Sequence, residues 1–248
     1  MGVFLAFVFG LFVGSFLNVV IYRLPRGESI AAPRSRCPFC RTQLTWRDLV
    51  PVFSYLVLGG RCRYCRRPIS LRYPAIELLT AVVFAVLWCR FSSPPVFAKY
   101  AFFAGLLIAA GAIDAVHYII PDKLVLAGLA GAVILGFAAR DVGIWSALAG
   151  CAAGAGFLLL VVVISKGGMG GGDVKLAAVT GLFLGWPLGP LGIFLGACVG
   201  GLVAFFLLLF RIKGRKDPLP FGPFIALGSF LALLWGKVLI FWYLGRFW

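Results

Sequence analysis

Long apolar runs separated by short polar connections extend along almost the whole chain. Eight runs carry very little charge, and a helix that crosses the hydrocarbon core of a membrane needs about 20 mainly apolar residues. The runs lie near residues 3–22, 74–91, 96–113, 123–139, 144–164, 176–186, 191–210 and 221–243. The pattern predicts an all-α polytopic membrane protein with about eight transmembrane helices. The run at 176–186 is the shortest and ends at Trp186-Pro187.

Composition supports this prediction and excludes several classes of protein. Hydrophobic residues make up 62% of the chain, against roughly 45–50% in soluble domains, so neither a soluble globular enzyme nor a disordered polycation is expected. His117 is the only histidine, which leaves no His pair for a zincin and little choice for a Ser-His-Asp triad. The first run lacks a basic region and a small-residue cleavage site, so we expect a retained helix and not a signal peptide.

The positive charge is concentrated in one stretch between the first two runs. The chain has 23 Lys and Arg against 8 Asp and Glu, a net charge of +15. Eleven of the basic residues lie within 23–72, namely Arg23, Arg26, Arg34, Arg36, Arg41, Arg47, Arg61, Arg63, Arg66, Arg67 and Arg72. Basic loops lie on the cytoplasmic side of membranes, so this stretch is predicted to be cytoplasmic and the N-terminus external. The stretch has no basic helical stripe and no aromatic platform for stacking bases, so anionic lipid headgroups are expected as partners and nucleic acid is not.

Eight spans threaded from that starting point place three further connections in the cytoplasm, near residues 114–122, 165–175 and 211–220. The last of these connections contains four basic residues, which independently supports the predicted number of spans. The sequence thus predicts a first transmembrane helix (1–22), a cytoplasmic loop domain (23–72) and a larger membrane domain (73–248).

Four of the seven cysteines form two CxxC pairs in the basic stretch, Cys37 with Cys40 and Cys62 with Cys65. Four thiolates in two such turns suit tetrahedral Zn²⁺ and leave no open coordination position. We therefore predict a structural zinc that staples the small loop domain. Disulfides, which the reducing cytoplasm disfavours, and a redox pair are the alternatives. The other cysteines lie in apolar runs and are expected to be buried.

Three of the few acids are predicted to lie at the cytoplasmic ends of spans: Asp114, Asp122 and Asp173. Carboxylates at a membrane boundary are costly and are candidates for function. Asp173 follows a glycine-rich segment, where backbone with positive φ could lie close to an extended peptide or act as a gate. If Asp114 faces Asp173, repulsion between the carboxylates favours a pair that shares one proton, as in aspartic proteases.

Other interpretations of these residues remain open. Asp122 and Asp173 could each cap a helix N-terminus, whereas Asp114 precedes a helix C-terminus, where an anion is unfavourable. A Ser-Lys dyad is a rival mechanism, with Ser165 and either Lys166 or Lys175. A zinc-stapled scaffold or a small-solute transporter is a rival of another class, although transporters usually place carboxylates near the middle of the membrane.

The motifs occur in an order that resembles the type IV prepilin peptidases, membrane aspartic proteases of the GxGD type. The likeness covers nearly the whole chain: residues 14–25 with Asn18, the two CxxC pairs, residues 72–77 with Glu77, Asp114, Pro121-Asp122, and the GxGD motif from Gly170 to Asp173. GxGD alone is a weak signal, but this set in this order is specific.

The resemblance implies that Asp114 and Asp173 are the catalytic pair, with Gly170, Gly172, Lys175 and Asp122 around them. It implies leader cleavage at the cytoplasmic face of the bacterial inner membrane, after a glycine that precedes a hydrophobic pilin helix. The substrates would be type IV prepilins or type II secretion pseudopilins. The long cysteine-bearing loop is similar to that of bifunctional members, which also N-methylate the new terminus with S-adenosylmethionine; a monofunctional peptidase is the alternative. The sequence does not locate the methyl donor, and Asn18 and Glu77 could line a groove or make helix contacts.

Overall fold

The computed structural model describes residues 1–32, 34–165, 169–214 and 217–245, and within these ranges the chain forms nine α-helices and no β-strand. The helices are α1 (Gly2–Arg23), α2 (Phe53–Val57), α3 (Arg72–Arg90), α4 (Pro94–His117), α5 (Asp122–Ala139), α6 (Ile144–Ile164), α7 (Gly171–Leu184), α8 (Leu188–Leu209) and α9 (Gly222–Leu244). Two compact units result, Met1–Phe97 and Ala98–Trp248.

Among the helices in the described ranges, seven are long and apolar enough to cross a membrane: α1, α3, α4, α5, α6, α8 and α9. In the most apolar windows of α5, α6 and α8, only 22%, 17% and 22% of the residues are buried within the protein. Outward faces this large and this apolar require a hydrocarbon environment. The prediction of an all-α, multi-pass membrane protein is confirmed.

The sixth predicted run, near residues 176–186, corresponds to α7, which has 14 residues and is therefore about 21 Å long. It begins at Gly171, five residues before the predicted start of this run, so Asp173 lies inside the helix. The backbone N–H of Trp186, just after α7, donates to the carbonyl of Ser146 near the start of α6. The two helices are therefore antiparallel neighbours.

In the first unit, α1 and α3 pack with their backbones nearly touching. A Cβ atom at Gly10 would lie 2.6 Å from the Cα of Ala81, and one at Gly14 would lie 2.7 Å from the Cα of Glu77. Glycine is needed at both positions because any side chain would push the helices apart. The loop domain of residues 24–71 connects these two helices.

In the second unit, α7 is enclosed by its neighbours. Leu176, Ala177, Val179 and Phe183 are at most 1% exposed, and the Phe183 ring stacks on Phe103 of α4 with centroids 4.6 Å apart. The burial fixes α7, and with it the glycine-rich turn that begins it. By contrast, Cys89 and Cys198 are exposed and Cys151 is half-buried, so the expectation that they are buried was wrong: they face outward from the apolar helices.

Gly181→Ala is expected to lower the stability of the protein by about 1–3 kcal/mol, the usual cost of overpacking. A Cβ atom at Gly181 would lie 2.3 Å from the carbonyl oxygen of Gly150, which belongs to the α6 backbone and cannot yield easily. The thermal midpoint of the detergent-purified protein measures the effect. Gly156→Ala on α6, where no atom lies within 4 Å, is the control, and equal midpoints for the two variants would contradict this account of the packing.

Candidate active site and metal centre

Asp114 lies in the last turn of α4 and is 5% exposed. Its Oδ2 accepts the backbone N–H of Gly222, the first residue of α9, at 2.8 Å. A Cβ atom at Gly222 would lie 2.9 Å from the same oxygen, so glycine is required for this approach. The start of α9 thereby fixes the position of a buried carboxylate that lies at the C-terminal end of its own helix, where an anion is unfavourable.

Asp173 lies in the first turn of α7 and is 8% exposed. Its backbone N–H donates to the carbonyl of Gly170, and its carboxylate in turn interacts with the backbone N–H of Gly170, the residue before the helix. Burial and, after it, the charge of Asp114 disfavour the ionised form of the Asp173 carboxyl, so the two predicted acids interact electrostatically. Two carboxylates that interact in a buried site disfavour double ionisation, and such a pair is suited to hold one proton.

The glycines before Asp173 differ from the expectation in their backbone. Gly170, Gly171 and Gly172 do not adopt positive φ, and Gly171 and Gly172 already belong to α7. A Cβ atom at Gly172 would lie 3.1 Å from the Cβ of Ile120, whereas one at Gly171 would meet no atom within 4 Å. Gly172 therefore packs closely against Ile120, whereas Gly171 borders open space.

Asp122 and Lys175 form an ion pair in which Lys175 Nζ donates to Asp122 Oδ1 at 2.5 Å, and both side chains are exposed. Asp122 is the first residue of α5 and caps nothing with its side chain. The capping interpretation is therefore wrong for Asp122. The ion pair links the first residue of α5 to the fifth residue of α7.

The residues of the rival dyad are only partly described. Ser165 is exposed, and its hydroxyl donates to the carbonyl of Val162 at 3.3 Å. Lys175 is the partner of Asp122, and Lys166 lies outside the described residues, together with Gly167 and Gly168.

The four CxxC cysteines form one cluster in the first unit. The sulfurs of Cys37, Cys40, Cys62 and Cys65 all lie within 4.8 Å of one another, and Cys37 Sγ and Cys65 Sγ are 3.9 Å apart. A tetrahedral zinc site with bonds of about 2.3 Å places its sulfurs about 3.8 Å apart, so the donor set and its spacing fit the ion. Burial raises the pKa of Cys37 to about 11, whereas hydrogen bonds with Thr42 lower that of Cys40 to about 6. A bound cation would remove the remaining thiol protons.

The two CxxC turns share one conformation. The N–H of Cys37 donates to Thr42 and that of Arg41 to the Cys37 carbonyl, while Cys62 and Arg66 repeat the pattern in the second turn. Arg41 and Arg66 both have a φ of 59°, the left-handed conformation that turns each chain back on itself. The two turns thus present their sulfurs in equivalent ways.

Asp48 joins the segment between the two turns to the second turn. Arg63 Nε donates to its Oδ1 at 2.7 Å and the Tyr64 hydroxyl to its Oδ2 at 3.1 Å. Burial alone would raise the pKa of Asp48, but hydrogen bonds from Arg63, Thr45 and Tyr64 outweigh it and lower the pKa to about 2. Asp48 is therefore ionised at any ordinary pH.

The aspartate pair and the cysteine cluster both lie in segments of the chain that match models of known protein families. A sequence model described as "Bacterial Peptidase A24 N-terminal domain" matches residues 8–91, and one described as "Type IV leader peptidase family" matches residues 101–205. A Bacillus subtilis (strain 168) protein named "Prepilin leader peptidase/N-methyltransferase" is 39% identical over 242 residues, which cover 96% of each chain. The chain belongs to the type IV leader peptidase family.

Other members of the type IV leader peptidase family are similar over almost the same extent. Relatives with the same printed name are 35% identical in Aeromonas hydrophila, over 98% of this chain and 94% of the relative, and in Pseudomonas aeruginosa, over 92% and 88%. No solved structure is significantly similar to this chain. The cysteine cluster lies in the segment matched by the N-terminal model, and both aspartates lie in the segment matched by the peptidase model.

Two residues near the candidate sites of this family member are not predicted from the sequence. Gly222 contacts a carboxylate 108 positions earlier in the chain, and its only local signal is the Gly222-Pro223 pair, because proline is favoured in the first turn of a helix. Asp48 is one of the eight acids of the chain, and the sequence alone assigns it no role. Its signal is Thr45 three residues before it, since the two form a capping box.

Proposed function

We propose that this chain removes the leader peptides of type IV prepilins or type II secretion pseudopilins and N-methylates the new terminus. The observation that supports it best is the pair of buried aspartates, Asp114 and Asp173, at helix ends in the unit matched by the leader peptidase model. The printed names of the relatives include both activities.

In the proposed mechanism the two aspartates are the catalytic residues and share one proton. The ionised carboxylate accepts a proton from water, whose oxygen attacks the carbonyl carbon of the scissile amide. The protonated carboxyl donates its proton to the amide nitrogen as the C–N bond breaks, so the products are a leader carboxylate and a pilin amine. The Gly222 N–H holds Asp114 in place, and the open space at Gly171 leaves room for an extended substrate.

The ion pair between Asp122 and Lys175 is proposed to position the catalytic turn. It joins the first residue of α5 to α7 two residues beyond Asp173, so it limits how far Asp173 can move when substrate enters. The pair is exposed and its contribution to stability is small. Its role is therefore positioning, and not chemistry on the substrate.

The second proposed activity transfers a methyl group to the new amine. S-adenosylmethionine supplies an electrophilic methyl group on a sulfonium. The neutral amine attacks that methyl carbon, the C–S bond breaks with its electron pair on sulfur, and the amine releases a proton. The four cysteines are proposed to hold a structural Zn²⁺ with no role in either reaction, because four sulfur ligands leave no open position.

The protein is proposed to lie in the bacterial inner membrane with both active sites on the cytoplasmic side. The support is the eleven basic residues of positions 23–72, which favour that side and would contact anionic headgroups there. The leader of a prepilin lies on the same side before cleavage.

Reconstituted vesicles test the proposed function. Purified protein is incubated with a prepilin and S-adenosylmethionine, and the product is analysed by mass spectrometry. We expect loss of the leader, a cut after the glycine that precedes the hydrophobic helix, and addition of one methyl group. An uncut prepilin would favour the scaffold or transporter interpretation, and cleavage without methylation would identify a monofunctional peptidase.

Ser165→Ala is expected to cleave prepilin at the wild-type rate. The Ser165 hydroxyl is bonded to the backbone of its own helix, and the proposed mechanism gives it no role. The same vesicle assay measures the rate. A complete loss of cleavage in a folded Ser165→Ala protein would instead support the Ser-Lys dyad.

A further inference from the structure

A cavity of about 810 Å³ lies within the first unit, between the loop domain and the ends of α1 and α3. Its walls include both CxxC turns, through Cys37 and Cys62, and the α2 segment, through Ser54 and Tyr55 of the helix and Leu58 directly after it. Cavities of 300–1,000 Å³ are the usual size for cofactors and drug-sized ligands. The proposed peptidase mechanism does not use this space.

Two buried acceptors on the spanning helices line the cavity. Asn18 is 3% exposed; its Nδ2 donates to the carbonyl of Tyr73 at 3.0 Å, but its Oδ1 has no hydrogen-bond partner. Glu77 is 8% exposed, and its Oε2 accepts the backbone N–H of Val52 at 2.7 Å. An unpaired buried acceptor is costly, and its presence beside a carboxyl group points to a ligand that brings hydrogen-bond donors.

The bond from Val52 to Glu77 also holds a strained turn next to the cavity. Val52 has a φ of 60° and a ψ of −49°, and the N–H of Phe53 donates to the carbonyl of Pro51. This is a γ-turn with positive φ, rare for any residue and unfavourable for a β-branched one. The turn directs α2 so that Ser54 and Tyr55 line the cavity, and backbone strain of this kind is concentrated at functional sites.

The mouth of the cavity has the opposite chemistry. Exposed arginines line it, among them Arg26, Arg36 and Arg67, and the wall also includes Arg72, whose buried Nε has no hydrogen-bond partner among the described residues. Guanidinium groups bind carboxylates in a bidentate manner. The half-buried rings of Tyr22, Tyr55 and Tyr73 also contribute to the walls, and aromatic faces can stack on a nucleobase. The cavity therefore combines buried acceptors, aromatic surface and a cationic rim.

We propose that this cavity binds S-adenosylmethionine as the methyl donor, an inference that rests on the proposed methyltransferase activity. Asn18 Oδ1 and the Glu77 carboxyl accept hydrogen bonds from the hydroxyl and amino groups of the ligand, and Glu77 also attracts its sulfonium charge. The arginines at the mouth bind its α-carboxylate, and the tyrosines contact its adenine. The phosphate of an anionic lipid headgroup would match the arginines but would offer no hydrogen-bond donor to Asn18 Oδ1.

Isothermal titration of the detergent-purified full chain with S-adenosylmethionine tests the site. Glu77→Gln keeps an oxygen for the Val52 N–H but removes the charge, and Asn18→Leu keeps the size but removes the acceptor. Each is expected to weaken binding by about tenfold or more, the effect of losing one hydrogen bond that involves a charged or buried group. The control is Thr80→Val, because Thr80 is buried one turn beyond Glu77, does not line the cavity and bonds only within α3; it should bind like wild type.

The possible outcomes distinguish failure of the proposed binding site from failure of the proposed methyltransferase activity. Wild-type affinity in both Asn18→Leu and Glu77→Gln, in a protein that methylates pilin, would overturn the site and leave the methyltransferase function intact. A wild-type protein that neither binds S-adenosylmethionine nor methylates would overturn both. Cleavage of prepilin by the variants verifies that they fold. If they do not fold, ultraviolet cross-linking of labelled S-adenosylmethionine to wild type decides: label within residues 15–77 supports the site, and label confined to 98–245 overturns it.

Discussion

Asp114→Asn is expected to reduce leader removal by about a thousandfold or more, within the range seen when one group of an acid–base pair is lost. Asparagine is almost the same size as aspartate, and its amide oxygen can still accept the Gly222 N–H that now bonds Asp114 Oδ2 at 2.8 Å. The fold should therefore survive. An amide can neither accept the proton from water nor share a proton with Asp173, so cleavage of the leader peptide should be lost.

The matched control for Asp114→Asn is Asp217→Asn. Asp217 belongs to the connection between α8 and α9, where its carboxylate accepts the backbone N–H of Gly214. It is a hydrogen-bonded acid in the same unit with no place in the proposed mechanism. Initial rates of prepilin cleavage in vesicles should match wild type for Asp217→Asn. Equal losses in the two variants would mean that charge or folding, and not the catalytic pair, accounts for the effect.

Cys62→Ser is expected to release the metal and unfold the loop domain. Cys62 is 5% exposed, and its sulfur lies within 4.8 Å of the other three. Structural zinc binding supplies on the order of 10 kcal/mol to the folding of small domains, and residues 24–71 have few other buried contacts. Metal analysis should find one zinc per wild-type chain and less in the variant. Limited proteolysis should cut the variant within residues 24–71 while the membrane helices remain intact.

Cys89→Ser provides the comparison for Cys62→Ser, since Cys89 is an exposed cysteine on α3 outside the cluster. It should retain zinc and resist protease like wild type. Cys62 and Cys37 also line the cavity proposed for S-adenosylmethionine, so loss of the metal should weaken methylation more than cleavage. A zinc-free wild-type protein with a protease-resistant loop would contradict the structural role.

The features that sequence predicted well are those determined over short distances along the chain. Apolar runs predict helices because each run must find a hydrocarbon environment by itself. The CxxC pairs predict a cluster because each turn brings two sulfurs together locally. The third predicted run ends at residue 113 and the sixth begins at residue 176. Each therefore omits about one helical turn, at the end of α4 and at the start of α7. Hydropathy cannot detect helical turns that contain glycines and an aspartate.

The features that sequence could not predict depend on contacts between distant residues. Gly222 and Asp114 are 108 positions apart, and Lys175 and Asp122 are 53 apart. Only packing through close glycine contacts, as between Gly150 and Gly181, brings such pairs together. The cavity could not be predicted for the same reason, because Asn18 and Glu77 lie on different helices. A single sequence does not show that α1 and α3 pack with their backbones in contact at glycine residues.

Reconstituted Asp173→Asn provides the most direct test of the proposed catalytic pair, because the same vesicles can be assayed for both activities. One reaction contains intact prepilin, and the other contains a pilin whose leader has already been removed, together with labelled S-adenosylmethionine. The two-aspartate mechanism predicts no detectable leader removal and normal methylation of the pre-cut pilin, since Asp173 takes no part in methyl transfer. Cleavage of intact prepilin by Asp173→Asn at the wild-type rate would contradict it.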